Sequence, residues 1–162
     1  MARFRTQQMQ EAGGRKPPGE EGPGNPFDKM VKPPESSLLA QKTLTILLVD
    51  DYPNILRVMN SVVSGLGHNT KTARSGEEAL EIFKKGGIDL VITDFKMSGM
   101  NGLELWKKLK EHDSKAEVII LTAYADKLGR DPLVKANAIT VLGKPLERDS
   151  IAEAIEAVRH NQ

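Results

Sequence analysis

Residues 43–56 read TLTILLVDDYPNIL. The run from Thr43 to Val49 is largely apolar and rich in β-branched side chains, which is the texture of a short strand buried on both faces of a sheet. It stops abruptly at Asp50 and Asp51. Pro53 follows where a first helical turn tolerates it, because the missing N–H is one of the donors a helix leaves unpaired there. Ile55, Leu56, Val58, Met59, Val62, Val63 and Leu66 then supply an apolar helical stripe that ends at Gly65 and Gly67. One strand followed by one helix is the unit of the fold.

Working outward, the unit repeats. Residues 69–73 read as a strand. Ser75 is placed to cap a helix running through Glu77, Glu78, Ala79, Leu80, Ile82 and Phe83, and Gly86 and Gly87 end it. Residues 88–93 form the third strand, residues 94–102 a loop, and Leu103, Leu105, Trp106 and Leu109 the stripe of a third helix. A fourth strand is expected over 117–121, a weaker helix over about 126–136, a fifth strand over 139–142, and a closing helix over 147–159 with Ile151, Ala154, Ile155 and Val158 on its apolar face. Five strands alternating with five helices predict a doubly wound α/β fold, a parallel sheet covered on both sides by right-handed crossovers. Ligands of such sheets sit beyond the carboxyl ends of the strands, where strand order reverses.

With 162 residues, 39% hydrophobic and 28% charged, the chain holds one domain with a core. Its 23 Lys and Arg balance 22 Asp and Glu, so no global field draws in nucleic acid or an acidic membrane, and charge-based function is local. Cysteine is absent, which removes disulfides, thiolate nucleophiles and Cys-based zinc sites and is compatible with a cytoplasmic location. No apolar run has the length of a signal peptide or a membrane span. Residues 1–42 carry six of the nine prolines and five of the fourteen glycines. Few large apolar groups accompany them, and the reading is a disordered extension preceding a domain at 43–162, with peptide recognition by the Pro-rich stretches as the alternative.

The chemistry collects at the strand ends: Asp50 and Asp51 after the first strand, Asp94 after the third, Thr122 after the fourth, Lys144 after the fifth. Singly, each has a plain structural explanation as a helix cap, a turn or a solvated cation. Together, on neighbouring strand ends, three carboxylates repel unless something positive lies among them. A hard divalent cation fits, and Mg²⁺, held by one or two carboxylates and a phosphate, suits an all-oxygen set. His68, His112 and His160 show no partner pattern, which disfavours zinc or iron.

The segments VDDYPN, DLVITDFKMSGMNG, LTAYA and GKP, in this order and spacing, resemble the receiver domain of two-component response regulators over about residues 43–162. That resemblance implies a flavodoxin-like strand order 2-1-3-4-5, with Asp94 as the phosphoacceptor. It implies Mg²⁺ bound directly by Asp51, by Asp50 directly or through water, by Asp94, and by the backbone carbonyl of Phe95. Thr122 and Lys144 would hold the phosphoryl oxygens, and the Lys144-Pro145 peptide would be cis. Lys96 and Tyr124 flank the site and are expected to govern how long the acyl phosphate survives. The donor would be a histidine kinase or phosphotransfer protein. Output would be a protein contact through the face around the fourth helix, fifth strand and fifth helix, without direct DNA binding, and a homodimer is compatible with it.

Three positions depart from the family's pattern. Val141 stands where a Tyr or Phe usually takes part in switching, and Tyr124 is expected to substitute in part. Ser98 replaces a frequent proline, and Asn137 a common glycine, which Asn's tolerance of the left-handed region would mitigate. Met97 and Met100 read as loop packing and Trp106 as core. The competing functions are a degenerate receiver that only docks partners, a nucleotide- or flavin-binding module, and a phosphohydrolase with an aspartyl intermediate. No Gly-rich phosphate loop follows the first strand, which argues against the nucleotide or flavin module.

Overall fold

The computed structural model describes residues 42–137 and 139–160, so the expected disordered extension lies outside the described residues save for Lys42. Five strands, β1 (Thr45–Val49), β2 (Asn69–Ala73), β3 (Leu90–Asp94), β4 (Val118–Thr122) and β5 (Thr140–Gly143), pair in parallel in the order β2-β1-β3-β4-β5. Between them run α1 (Pro53–Gly65), α2 (Gly76–Lys84), α3 (Gly102–His112), α4 (Ala125–Gly129) and α5 (Pro132–Ala136), and α6 (Arg148–His160) closes the fold. Order reverses between β1 and β3, which places a crevice beyond their carboxyl ends.

The period of two along β1 divides its side chains between two cores. Ile46 and Leu48 join Leu56, Met59 and Val63 of α1 and Ile151, Ala154, Ile155 and Val158 of α6. Leu47 and Val49 face the other layer, with Phe83 of α2, Leu105, Trp106 and Leu109 of α3, and the loop residues Met97 and Met100. Trp106 and both methionines are therefore packing residues. Val141 of β5 lies half-buried against this second core.

Three sequence expectations need correction. The stripe proposed for α1 is narrower than its apolar residues suggest: Leu56, Met59 and Val63 are buried, while Ile55 and Val58 are 37% and 54% exposed. At about 100° per residue, positions 56, 59 and 63 share one face and 55 and 58 turn away from it. The single helix expected over 126–136 is two, so the described residues carry six helices where five were expected. Pro132 disfavours helical geometry at the preceding residue, and Asp131 accordingly has ψ 131°. The Asp131 side chain instead accepts from Leu133 N at 2.8 Å and caps α5. Asn137 is not left-handed either, with φ −109°, and its amide donates to the Leu133 carbonyl at 2.8 Å.

Caps set the helices that carry the site loops. Ser75 Oγ accepts from Glu78 N at 3.1 Å, and Glu78 accepts in turn from Arg74 N. Asn101 and Glu104 form a reciprocal capping box at the start of α3. Gly102, the first residue of α3, sits hard against the third strand's end, where an added Cβ would lie 2.6 Å from the Asp94 carbonyl oxygen and 3.1 Å from Phe95 Cα. Both neighbours are backbone and neither can yield alone. Gly102→Ala is therefore expected to destabilise the protein by about 1–3 kcal/mol, the usual cost of overpacking, seen as a lower melting temperature.

Candidate functional site

Asp94 and Thr122 are the last residues of β3 and β4, and Asp50, Asp51 and Lys144 lie just past β1 and β5. Asp94 and Thr122 thus belong to the strands themselves, one residue inside the positions expected. The five residues expected at the strand ends are gathered as foreseen. One carboxylate oxygen from each of Asp50, Asp51 and Asp94 lies within 4.8 Å of the others. Asp51, Asp94, Thr122 and Lys144 line one cleft of about 560 Å³ with Lys96 and Tyr124 on its wall. Asp50 is fully buried, and Asp94 and Thr122 are nearly so. The Lys144-Pro145 peptide is cis.

Hydrogen bonds decide which oxygens remain free. Lys144 Nζ bridges Asp50 Oδ2 at 3.3 Å and Asp94 Oδ1 at 3.0 Å, while Asp50 Oδ1 accepts from Tyr52 N at 2.8 Å. Both Asp50 oxygens are thereby used. Asp51 Oδ2 accepts from the Ser98 main chain and hydroxyl, but Asp51 Oδ1 is buried with no partner among the described residues. A buried carboxylate oxygen left alone is costly unless a cation or water meets it. The donor set fits a hard divalent cation: three carboxylates, all oxygen, with Asp51 Oδ1 left without a protein partner among the described residues and both Asp50 oxygens already engaged. The Phe95 carbonyl already accepts from Gly102 N at 2.9 Å, leaving it one lone pair for an ion.

Burial raises the Asp94 carboxyl above its ordinary value of 3.8; the Lys144 hydrogen bond and charge oppose this, and the Asp50 charge adds to it. Lys144 is pulled down by burial, but its hydrogen bond and charge contacts with Asp94 and Asp50 outweigh that and raise it above 10.5. A carboxyl raised in the folded state binds its proton more tightly there than in the unfolded chain, so its contribution is complete below 3.8 and is lost as pH rises through the raised value. In chelator, urea unfolding of the wild type and Asp94→Asn should therefore give a stability gap favouring the variant. The gap is expected to widen as pH climbs through the acid range and to shrink when Mg²⁺ is added.

Thr122 Oγ1 accepts from Tyr124 N at 3.1 Å, and the Thr122 carbonyl accepts from Lys144 N at 2.9 Å, tying β4's end to the loop after β5. Tyr124 is 71% exposed. None of the three histidines touches the cluster: His68 Nδ1 accepts from Leu44 N, and His112 meets Phe83 edge-on. Sequence reading missed Ser98 as a partner of Asp51. The two are 47 residues apart, and nothing local to the DFKMSGMNG segment indicates that the serine turns back to the first strand's loop.

The sequence pattern of the response regulator receiver domain matches residues 46–156. The chain belongs to that family. It is 37% identical over 111 residues to sporulation initiation phosphotransferase F of Bacillus subtilis (strain 168), covering 68% of this chain and 90% of the relative. To the transcriptional regulatory protein GlrR of Escherichia coli (strain K12) it is 30% identical over 118 residues, which is 73% of this chain but 27% of that protein. The chain thus spans about a quarter of such a regulator's length. Among solved structures, the response regulator TrrA of Thermotoga maritima, in complex with Mg²⁺ and BeF, superimposes with a TM-score of 0.65 at 34% identity, covering 72% of this chain and 99% of that one. This family comprises two-component phosphorelay signalling modules, and its members bind Mg²⁺ at an acidic pocket of the kind formed here by Asp50, Asp51 and Asp94. Among the described residues no helix is long and apolar enough to cross a membrane.

Proposed function

We propose that this chain takes a phosphoryl group onto Asp94 from a histidine kinase or phosphotransfer protein, in a Mg²⁺-dependent step, and passes the signal on by protein contact. The observation that carries the reading is the arrangement around Asp94: one oxygen held by Lys144 at 3.0 Å, beside a buried, partnerless Asp51 oxygen. Asp51 and Asp94 would hold Mg²⁺, with Asp50 acting directly or through water and the Phe95 carbonyl as a further ligand. Held there, the ion would supply positive charge against the oxygens of the transferring phosphoryl group. The free oxygen of Asp94 attacks phosphorus, the bond from phosphorus to the donor's nitrogen or oxygen breaks, and the donor leaves with that electron pair. Lys144 gives up part of its hold on Asp94 to pair with a phosphoryl oxygen. Thr122 turns its hydroxyl from accepting the Tyr124 N–H to donating to another phosphoryl oxygen.

That turn frees Tyr124 N. With Val141 in place of an aromatic, the movement of Tyr124 and the loop into α4 is the route by which the phosphorylated state is read, on the face formed by α4, α5, β5 and α6. Lys96 and Tyr124 screen the acyl phosphate from water and set its lifetime. The chain would act as a phosphoacceptor with slow self-dephosphorylation, in the cytoplasm, and not as a hydrolase.

Beryllofluoride titration in Mg²⁺, followed by the amide resonances of Asp94, Thr122 and Lys144, tests this. Saturable shifts at these residues that vanish with chelator are expected, together with no rapid turnover of phosphomonoesters. Fast phosphomonoester hydrolysis would turn the reading towards a hydrolase. A failure to bind beryllofluoride would turn it towards a docking module that works without phosphorylation.

A further inference from the structure

Two donors from one residue take hold of one oxygen of Asp51. Ser98 N–H and Ser98 Oγ–H both donate to Asp51 Oδ2, at 3.0 and 3.1 Å. The remaining oxygen, Oδ1, is buried and has no partner among the described residues, and Asp51 belongs to the three-carboxylate cluster. Ser98 therefore engages one oxygen of Asp51 and leaves the other unpaired. Gly99, the next residue, turns the chain at φ 80°, a conformation open to glycine.

An oxygen engaged by two donors is poorly available to a metal. Asp51 is left to offer an ion one oxygen, not two. Mg²⁺ takes single oxygens at short, near-octahedral distances, whereas Ca²⁺ has a larger, more flexible shell that readily accepts both oxygens of a carboxylate. We propose that Ser98 is a positioning residue that makes Asp51 a one-oxygen ligand and so sets the site's preference for Mg²⁺ over Ca²⁺. This rests on the reading of the cluster as a Mg²⁺ site. A proline at this position, with neither N–H nor hydroxyl, could supply neither hydrogen bond, so the control is specific to the serine of this chain.

The test is calorimetric titration of the full chain with Mg²⁺ and, separately, Ca²⁺, without any phosphodonor, for the wild type, Ser98→Ala, Ser98→Thr and Ser98→Pro. Melting temperatures in chelator accompany each. Partners that orient a metal ligand are worth about tenfold or more in affinity. Ser98→Pro, which removes both donors, is expected to lower the ratio of Mg²⁺ to Ca²⁺ affinity by about that factor. Ser98→Ala keeps the N–H and should show a smaller drop in the same direction, with a melting temperature in chelator close to wild type. Ser98→Thr restores the hydroxyl and should keep the wild-type ratio. An unchanged ratio in both the alanine and proline variants overturns the proposal, as does a loss in the threonine variant equal to that in alanine. If the wild type binds no Mg²⁺, the reading of the site fails with it; if the wild type binds Mg²⁺ and only the ratios refuse to move, Ser98's role alone is lost.

Discussion

Asp94→Asn is expected to abolish the phosphoryl adduct that the wild type forms with acetyl phosphate and Mg²⁺. Intact mass spectrometry should find a single phosphoryl group on the wild type, stable in acid, labile in base and absent when the metal is chelated. The variant should show none. The reason is chemical before it is structural: the amide nitrogen and oxygen of Asn are poor nucleophiles, while the shape of the side chain is unchanged. The Asn oxygen can still accept from Lys144, whose ammonium lies 3.0 Å from Asp94 Oδ1 in the wild type, so the fold and the cleft should persist. Loss of the adduct without loss of structure is what assigns the chemistry to this atom. An equal adduct on the variant would place the acceptor elsewhere, and Asp50, buried and bonded through both oxygens, would be a poor substitute.

Lys144→Ala is expected to weaken the protein when no metal is present. One ammonium serves two carboxylates, at 3.3 and 3.0 Å, and Asp50 is wholly buried. Removing it leaves two neighbouring charges with no cation between them. Breaking a fully buried pair costs about 3–5 kcal/mol. The Lys144 side chain is 28% exposed, which lets water screen what remains, so a loss of about 1–3 kcal/mol is the expectation in chelator. Mg²⁺ should restore more stability to the variant than to the wild type, because the ion supplies the positive charge that the lysine supplied. Equal gains from Mg²⁺ in both proteins, measured by thermal unfolding across a metal titration, would contradict the shared-charge account of the site.

Most of the scaffold was legible because its signals are local. The apolar run at Thr43–Val49, the cap at Ser75 and the paired glycines at Gly86 and Gly87 each act within a few residues, and the elements they predict are present with ends shifted by one or two positions. The break between α4 and α5 was equally available in Pro132, whose effect on Asp131 is a nearest-neighbour one. Ile55 and Val58 were misplaced for a different reason. Their apolar character is real, but which arc of α1 meets the sheet depends on how the helix is docked, and that is set by β1 and α6 as much as by α1 itself.

From the residues alone came the alternation of strands and helices and the acidic, hydroxyl and lysine residues at the strand ends; the family resemblance added their roles and the strand order. The three-dimensional arrangement settled what alternation cannot: that Asp50, Asp51 and Asp94 form one cluster, that Lys144 spans two of them, and that Ser98 reaches across 47 residues to leave one Asp51 oxygen bare. Strand and helix formation answer to interactions a few residues long. The identity of a free lone pair depends on which distant groups arrive beside it, and only packing brings them there.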